Sequence, residues 1–189
     1  MNVEAATRSA RGSGMNVEAA TRRALAAALA LALLACATPR APRPLPVAHT
    51  LFPGTRVSLA LPEGFRHDPG LGAFESADGQ SAIFVNELPG SVYSTLRSFS
   101  AEAFQRSGMR LHGQERVTVD GWPARLYRAS QPARGTELAR WVLVFGDSGS
   151  SVVLTAVTPE AARPSLEAPL LFALRSVQWH RQGLAAGAP

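Results

Sequence analysis

The stretch LHGQERVTVDGWPARLYRASQPARGTELARWVLVF, residues 111–145, decides the fold class. It contains three runs that are bounded by turn residues and predict β-strands, at about 111–119, 122–130 and 136–145. Asp120-Gly121 separates the first two runs, and this pair readily adopts the positive φ angles of a two-residue hairpin turn. A longer turn, Pro132-Ala133-Arg134-Gly135, separates the second run from the third. The stretch therefore predicts three consecutive antiparallel strands.

Further strands are predicted on both sides of this stretch. Residues 57–61 alternate between apolar and polar or small side chains. Residues 73–76 and 81–88 flank the turn Ala77-Asp78-Gly79-Gln80 and predict a hairpin. A last strand is predicted at 151–157.

Two helices complete the predicted domain. The apolar residues of one helical stripe are Val92, Leu96, Phe99 and Ala103. They predict a helix that begins after Ser91 and ends at Gly108, and a second helix is predicted from Pro159 to about Val177. Strands and helices in this order favour an α+β fold, in which an antiparallel β-sheet is flanked by helices as an α/β/α sandwich. One such domain is expected over residues 51–180, followed by a disordered tail at 181–189.

The residues before the domain are typical of an export signal. Met-Asn-Val-Glu-Ala-Ala-Thr-Arg occurs at 1–8 and again at 15–22, so Met15 is an alternative start. Residues 24–35 contain only Ala and Leu and follow Arg22-Arg23. As a helix they would span about 18 Å, which is short of the roughly 30 Å hydrocarbon core of a bilayer. A basic start and a short apolar run predict a signal peptide over residues 1–35.

Leu33-Leu34-Ala35-Cys36 resembles the bacterial lipobox, whose cysteine receives a lipid. The resemblance implies lipid attachment at Cys36, and two acyl chains would hold the chain on a lipid bilayer. The alternative is ordinary signal cleavage, because Ala35-Cys36-Ala37 also fits the small-x-small rule. Ala37, where an inner-membrane retention signal has Asp, favours the outer membrane facing the periplasm. Residues 36–50 are rich in proline and predict an extended tether of about 40 Å.

The charge and cysteine content exclude several classes of function. The basic residues number 19 against 14 acids, and all 19 are arginine. Residues 50–180, however, contain 12 arginines and 12 acids, so the folded part is neutral and no nucleic-acid partner is expected. The single cysteine excludes an internal disulfide framework.

One segment suggests catalysis. Gly146-Asp147-Ser148-Gly149 resembles the nucleophile segment of trypsin-like proteases, and its first three residues resemble the first block of GDS-type esterases. Both chemistries need a base and a group that orients the base, but His180 is the only histidine after Ser148. A hairpin turn between two apolar strands explains the same residues. The histidines His49, His67, His112 and His180 lack the spacing of a metal site, and no cradle for a phosphate cofactor is present. No catalytic, metal or cofactor site is therefore predicted.

Val57-Ser58-Leu59-Ala60-Leu61-Pro62-Glu63-Gly64-Phe65, the Val119–Arg125 hairpin and the closing helix together resemble the PsbP/Mog-like superfamily. The resemblance implies a small α+β domain that acts as a binding or accessory module. The resulting hypothesis is an exported lipoprotein of the cell envelope whose domain binds an envelope protein or a ligand without catalysis. The alternatives are a small serine hydrolase that uses Ser148 and a purely structural surface protein.

Overall fold

The computed structural model describes residues 47–133 and 135–181, and these residues form ten strands, three α-helices and one 3-10 helix. In chain order the elements are β1 (Thr50–Leu51), β2 (Val57–Leu59), β3 (Arg66–Asp68), β4 (Ala73–Glu75), β5 (Ala82–Pro89), α1 (Val92–Arg97), α2 (Ala101–Arg106), β6 (Arg110–Val119), β7 (Trp122–Ala133), β8 (Thr136–Gly146), β9 (Ser150–Pro159), the 3-10 helix (Glu160–Ala162), α3 (Arg163–Arg175) and β10 (Gln178–Trp179). The predicted signal peptide, Cys36, most of the predicted tether and the tail from 182 onward lie outside the described residues.

Seven strands form one antiparallel sheet in the order β3-β4-β5-β9-β8-β7-β6. The three strands predicted from residues 111–145 lie side by side in it as β6, β7 and β8. Asp120 (φ 48°) and Gly121 (φ 77°) form the turn between β6 and β7, with the positive φ angles expected of this pair. The mostly antiparallel α+β architecture predicted from the sequence is therefore confirmed.

The helices pack on opposite faces of this sheet and give it two apolar cores. The larger core lies on the α3 side, where Leu170 and Leu174 of the helix pack with Trp141 and Leu143 of β8. The smaller core lies on the α1–α2 side, and Phe104 and Tyr127, both buried, are its largest side chains. Because side chains alternate along a strand, each central strand contributes to both cores. No helix among the described residues is long and apolar enough to cross a membrane.

The helix predicted over 91–108 is two helices of six residues each. Ser91 caps α1, and Ser100 caps α2 because its hydroxyl accepts a hydrogen bond from the Ala103 amide at 3.2 Å. Serine at an N-cap satisfies amide groups that the first helical turn leaves free. The second cap therefore starts a new helix where the apolar stripe predicted a continuous one. Phe99, between the helices, stacks on Tyr127 with ring centroids 5.5 Å apart.

The predicted C-terminal helix begins later than expected and is followed by a strand. Pro159 still belongs to β9, α3 runs from Arg163 to Arg175, and Trp179 lies in β10. β10 pairs with β2 in a separate three-stranded sheet of order β1-β2-β10, with Trp179 opposite Val57. The His49 ring lies 2.8 Å from the Ser176 carbonyl oxygen at the end of α3. These long-range contacts, which a local pattern does not reveal, direct the chain from the helix into the strand.

Candidate functional site

Ser148 lies at the exposed tip of the turn that joins β8 to β9. The Asp147 side chain accepts hydrogen bonds from the backbone amides of Gly149 at 2.7 Å and Ser150 at 2.8 Å. These amides hold the pKa of Asp147 below its ordinary value. The carboxylate therefore stabilises its own turn, and the prediction that these residues form a hairpin turn is confirmed.

His180 does not contact Ser148. Its Nε2 atom lies 2.8 Å from the hydroxyl of Ser58, a residue 122 positions away in the middle of β2. Ser58 is only 4% exposed, so a substrate could not reach its hydroxyl. No carboxylate within 47–133 and 135–181 hydrogen bonds the His180 ring to orient it as a base. The pair, which sequence spacing did not indicate, is a partly buried structural contact between β2 and the residue after β10.

A second polar cluster lies where the two sheets meet. Glu87 of β5 accepts hydrogen bonds from the Arg56 backbone amide at 3.2 Å, the Arg56 side chain at 2.9 Å and the Trp179 indole at 3.1 Å. Burial alone would raise the pKa of Glu87, but the hydrogen bonds from Arg56 and Trp179 outweigh it and hold the pKa below its ordinary value. The Arg181 guanidinium lies 5.0 Å from the ring centroid of Trp122 and forms an ion pair with Asp147. Two arginines and two acids make this cluster neutral. Its contacts with Trp179 and Arg181 hold β10 in place.

All six salt bridges among the described residues lie on the α3 side of the large sheet or at this β10 end. They are Arg56–Glu87, Arg128–Glu115, Arg163–Glu160, Arg163–Glu167, Arg175–Glu115 and Arg181–Asp147. The glutamates of the large sheet that form salt bridges, Glu87 and Glu115, therefore point away from α1 and α2.

The opposite side carries arginines that form no salt bridge within 47–133 and 135–181. We call the part of this side around α1, α2 and β6–β8 the arginine face, and its charged residues are Arg97, Arg106, Arg116, Arg125, Arg140 and Glu102. Five arginines against one glutamate give this part a local net charge of +4. The β3–β4 edge of the same side adds Arg66, Asp68 and Glu75, because their strand neighbours His67 and Phe74 lie on the side of the larger core. The sequence count of a neutral domain is correct as a sum, but the fold separates the charges between two faces.

Arg140 is an arginine of this face whose positive charge has no acidic partner among the described residues. It lies between Ala139 and Trp141, which belong to the larger core, so strand alternation places its side chain on the arginine face, and the residue also borders a pocket near the start of α3. Burial lowers the pKa of its guanidinium, and its Nε atom is buried without a hydrogen-bond partner among the described residues.

A groove opens on the arginine face at the end of the β6–β7 hairpin. It has a volume of about 470 Å³, and its lining residues are Leu96, Arg116, Val117, Thr118, Pro123, Ala124 and Arg125. Arg116 and Arg125 lie directly opposite each other on β6 and β7. This pair was not predicted from the sequence. The signal was present, because each arginine is four residues from the Asp120-Gly121 turn and a two-residue turn pairs such positions.

Another pocket, of about 440 Å³, lies near the start of α3 and has mixed charge. His112 lines it and hydrogen bonds the Ser130 hydroxyl at 2.8 Å, while Arg128 and Arg163 on its wall are already paired with glutamates. Arg110 and Arg140 also line it and form no salt bridge among the described residues, so its positive charge is only partly neutralised.

The histidines and acids do not come together as a metal site. His67 lies in β3 with its ring 5.8 Å from that of Phe74. No group of three or more His, Cys, Asp or Glu in the part of the chain that the structure describes could hold a metal ion.

No protein-family model matches the sequence, and no curated protein matches it. Solved structures do match the fold. The solution structure of cyanobacterial PsbP (CyanoP) from Synechocystis sp. PCC 6803 superposes with a TM-score of 0.51 at 12% identity, covering 70% of this chain and 91% of that chain. LpqN, involved in cell envelope biogenesis of Mycobacterium tuberculosis, superposes with a TM-score of 0.50 at 14% identity, covering 70% of this chain and 84% of that chain.

These similarities define the class of the domain by its fold. Residues 47–181 have a PsbP-like α+β fold, as the resemblance in the sequence implied. At identities of 12% and 14%, the similarity shows the fold alone.

Proposed function

We propose that the chain is a lipoprotein of the cell envelope, anchored through Cys36, whose PsbP-like domain binds an anionic partner through the arginine face and performs no catalysis. The observation that carries the proposal is the separation of charge: five of the seven described arginines that form no salt bridge lie on the arginine face, while the six salt bridges among the described residues lie elsewhere. A surface of one charge sign attracts and orients a partner of the opposite sign.

Two observations support an envelope location. Arg22-Arg23, the Ala/Leu run and Leu33-Leu34-Ala35-Cys36 have the pattern of an export signal with a lipid attachment site. LpqN, which shares the fold, is involved in cell envelope biogenesis in its own organism. The proline-rich residues 36–50 would separate the domain from the membrane surface.

Replacing the lipid attachment residue tests the anchor. We expect the native protein to remain with membranes through a high-salt wash, and the Cys36→Ser variant to appear in the soluble fraction. Salt removes proteins held only by charge, because it screens exposed electrostatic contacts. A Cys36→Ser variant that stays with the membranes after the wash would show that lipidation is not the anchor.

A fluorophosphonate probe tests the absence of serine catalysis, because it reacts covalently with activated serines. Ser148 is exposed, and its neighbour Asp147 is bonded to amides of the turn and to Arg181. We therefore expect no modification of the native protein. Covalent labelling that disappears in Ser148→Ala would establish the hydrolase alternative.

Photocrosslinking in whole cells tests the binding face. A photoreactive phenylalanine analogue at Thr118 would report on the arginine face, and one at Phe172, which is 54% exposed on α3, would report on the opposite face. We expect adducts from Thr118 that Arg116→Gln or Arg125→Gln reduces, and few from Phe172. Equal yields at both positions, or adducts that do not depend on the arginines, would contradict the proposal.

A further inference from the structure

Arg116 and Arg125 form an uncompensated pair of like charges. They are register partners on adjacent antiparallel strands, and such partners have Cβ atoms about 5 Å apart. Their neighbours Val117 and Ala124 pack into the larger core, so both arginines extend to the arginine face. Like charges placed directly opposite each other destabilise a sheet.

Nothing among the described residues neutralises this pair. Neither arginine forms a salt bridge there, and no carboxylate is among the residues that line the groove. Arg125 donates a hydrogen bond to the neutral amide oxygen of Gln114 at 3.1 Å. A single arginine on the edge strand β6 would be enough to discourage pairing with another chain. A second one directly opposite adds repulsion without adding to that protection.

The walls of the groove provide what an organic anion needs. Two guanidinium groups present planar sets of donors, which match the oxygens of a phosphate group. The Thr118 hydroxyl adds a further donor, and Leu96 and Pro123 offer apolar contact beside the charges. The volume of about 470 Å³ lies within the range of small-molecule sites.

We propose that this groove binds the phosphate group of an organic molecule, held between Arg116 and Arg125. The inference rests on the proposed function, since it assigns the chemistry of the partner that the arginine face binds. A soluble phosphate ester and a phospholipid headgroup both contain a phosphate group, and the experiment below distinguishes these two sources.

The test uses the full-length Cys36→Ser protein, so that acyl chains cannot hold it on lipid. In one arm, glycerol 3-phosphate and inorganic phosphate are titrated by calorimetry. In the other arm, the protein is sedimented with vesicles of phosphatidylglycerol in phosphatidylcholine and with vesicles of phosphatidylcholine alone. Arg116→Gln and Arg125→Gln are the test variants. Arg128→Gln is the matched control, since it removes the same charge from the same strand but from the opposite face.

We expect binding in at least one arm, and a loss of affinity of about tenfold or more in each test variant, because each removes a charge-assisted contact. Arg128→Gln should keep native affinity within about twofold, and thermal melting should show that all three variants fold. Binding only to phosphatidylglycerol vesicles identifies a headgroup as the source, and binding only to the soluble esters identifies a small metabolite. Absence of binding in both arms, or equal losses in Arg128→Gln and the test variants, would overturn the proposal.

Failure of this inference can be told apart from failure of the proposed function. Fractionation of the Cys36→Ser variant reports on the anchor without involving the groove. Photocrosslinking at Thr118 reports a partner of any chemistry. If adducts depend on the arginines but no phosphate compound binds, the arginine face is still the binding surface and only the phosphate assignment is wrong.

Discussion

Gly146→Ala should destabilise the domain strongly, because the turn that contains Ser148 depends on a glycine. Gly146 is buried and has a φ of 152°, a conformation that residues with a Cβ rarely adopt. A Cβ built at this position lies 2.7 Å from the Ser151 Cα atom and closer still to the Ser150 carbonyl oxygen. Both atoms belong to the β9 backbone, and the Ser150 oxygen accepts a hydrogen bond from the Asp147 amide at 2.9 Å. Relief of the clash therefore requires a shift of one strand against another.

The cost follows from these two effects. Backbone strain of this kind costs about 1–3 kcal/mol, and forced overpacking costs a similar amount. We expect a loss of about 3 kcal/mol in the free energy of unfolding, measured by urea denaturation, and a fall in Tm of about 10 °C. Gly149→Ala is the control in the same turn, because its added Cβ would meet only the Asp147 side chain at 3.7 Å, and it should cost less than about 1 kcal/mol. If Gly146→Ala and Gly149→Ala have equal free energies of unfolding, the turn does not require a glycine at position 146 and the reasoning is refuted.

Further substitutions test the rest of the fold. Glu87→Gln should lower the free energy of unfolding by about 1–2 kcal/mol at pH 7, because the hydrogen bonds from Arg56 and Trp179 lose their charge assistance. Since the pKa of Glu87 is held below its ordinary value, its ionised form stabilises the fold above the unfolded pKa, and urea titrations should show this contribution disappear as the pH falls through the folded pKa. Phe104→Ala should cost about 3–4 kcal/mol in the same assay, since its ring is 2% exposed in the smaller core. Ser148→Ala should change the free energy of unfolding by less than about 0.5 kcal/mol, and a larger loss would show a structural role for this exposed hydroxyl.

The sequence predicted the features that depend on local chemistry. Asp120-Gly121 fixed the β6–β7 hairpin, because two residues with positive φ leave only one way to pair the flanking strands. The turn at Asp147 was predicted for a similar reason, since an aspartate can bond the amides that follow it. Together these turns made the antiparallel sheet predictable.

Features that depend on distant partners were not predictable in this way. No strand was predicted at Trp179, whose place in β10 is set by pairing with Val57. Ser58 and His180 meet for the same reason. The sequence predicted one helix over 91–108 where the structure has two. Ser100 can be a helix cap or an ordinary helical residue, and the packing of Phe99 on Tyr127 decides between them.

The arginine face was only partly predictable from the sequence. The total charge of the domain concealed it, because the sum of twelve arginines and twelve acids over residues 50–180 does not depend on where they lie. Alternation along β7 places Arg125 and Arg128 on opposite faces, and the turn at Asp120-Gly121 places Arg116 opposite Arg125. The pattern is thus present in the sequence, but it becomes visible only once the strand register is known.

A chemical-shift map tests most directly whether the arginine face is the binding surface. The full-length protein, labelled with ¹⁵N and purified in a neutral detergent, would be titrated with glycerol 3-phosphate while amide shifts are followed by NMR. We expect saturable shifts at Leu96, Thr118 and Ala124, around the groove. Shifts centred instead on His112 and Arg163, in the pocket near the start of α3, would contradict the assignment of the binding surface.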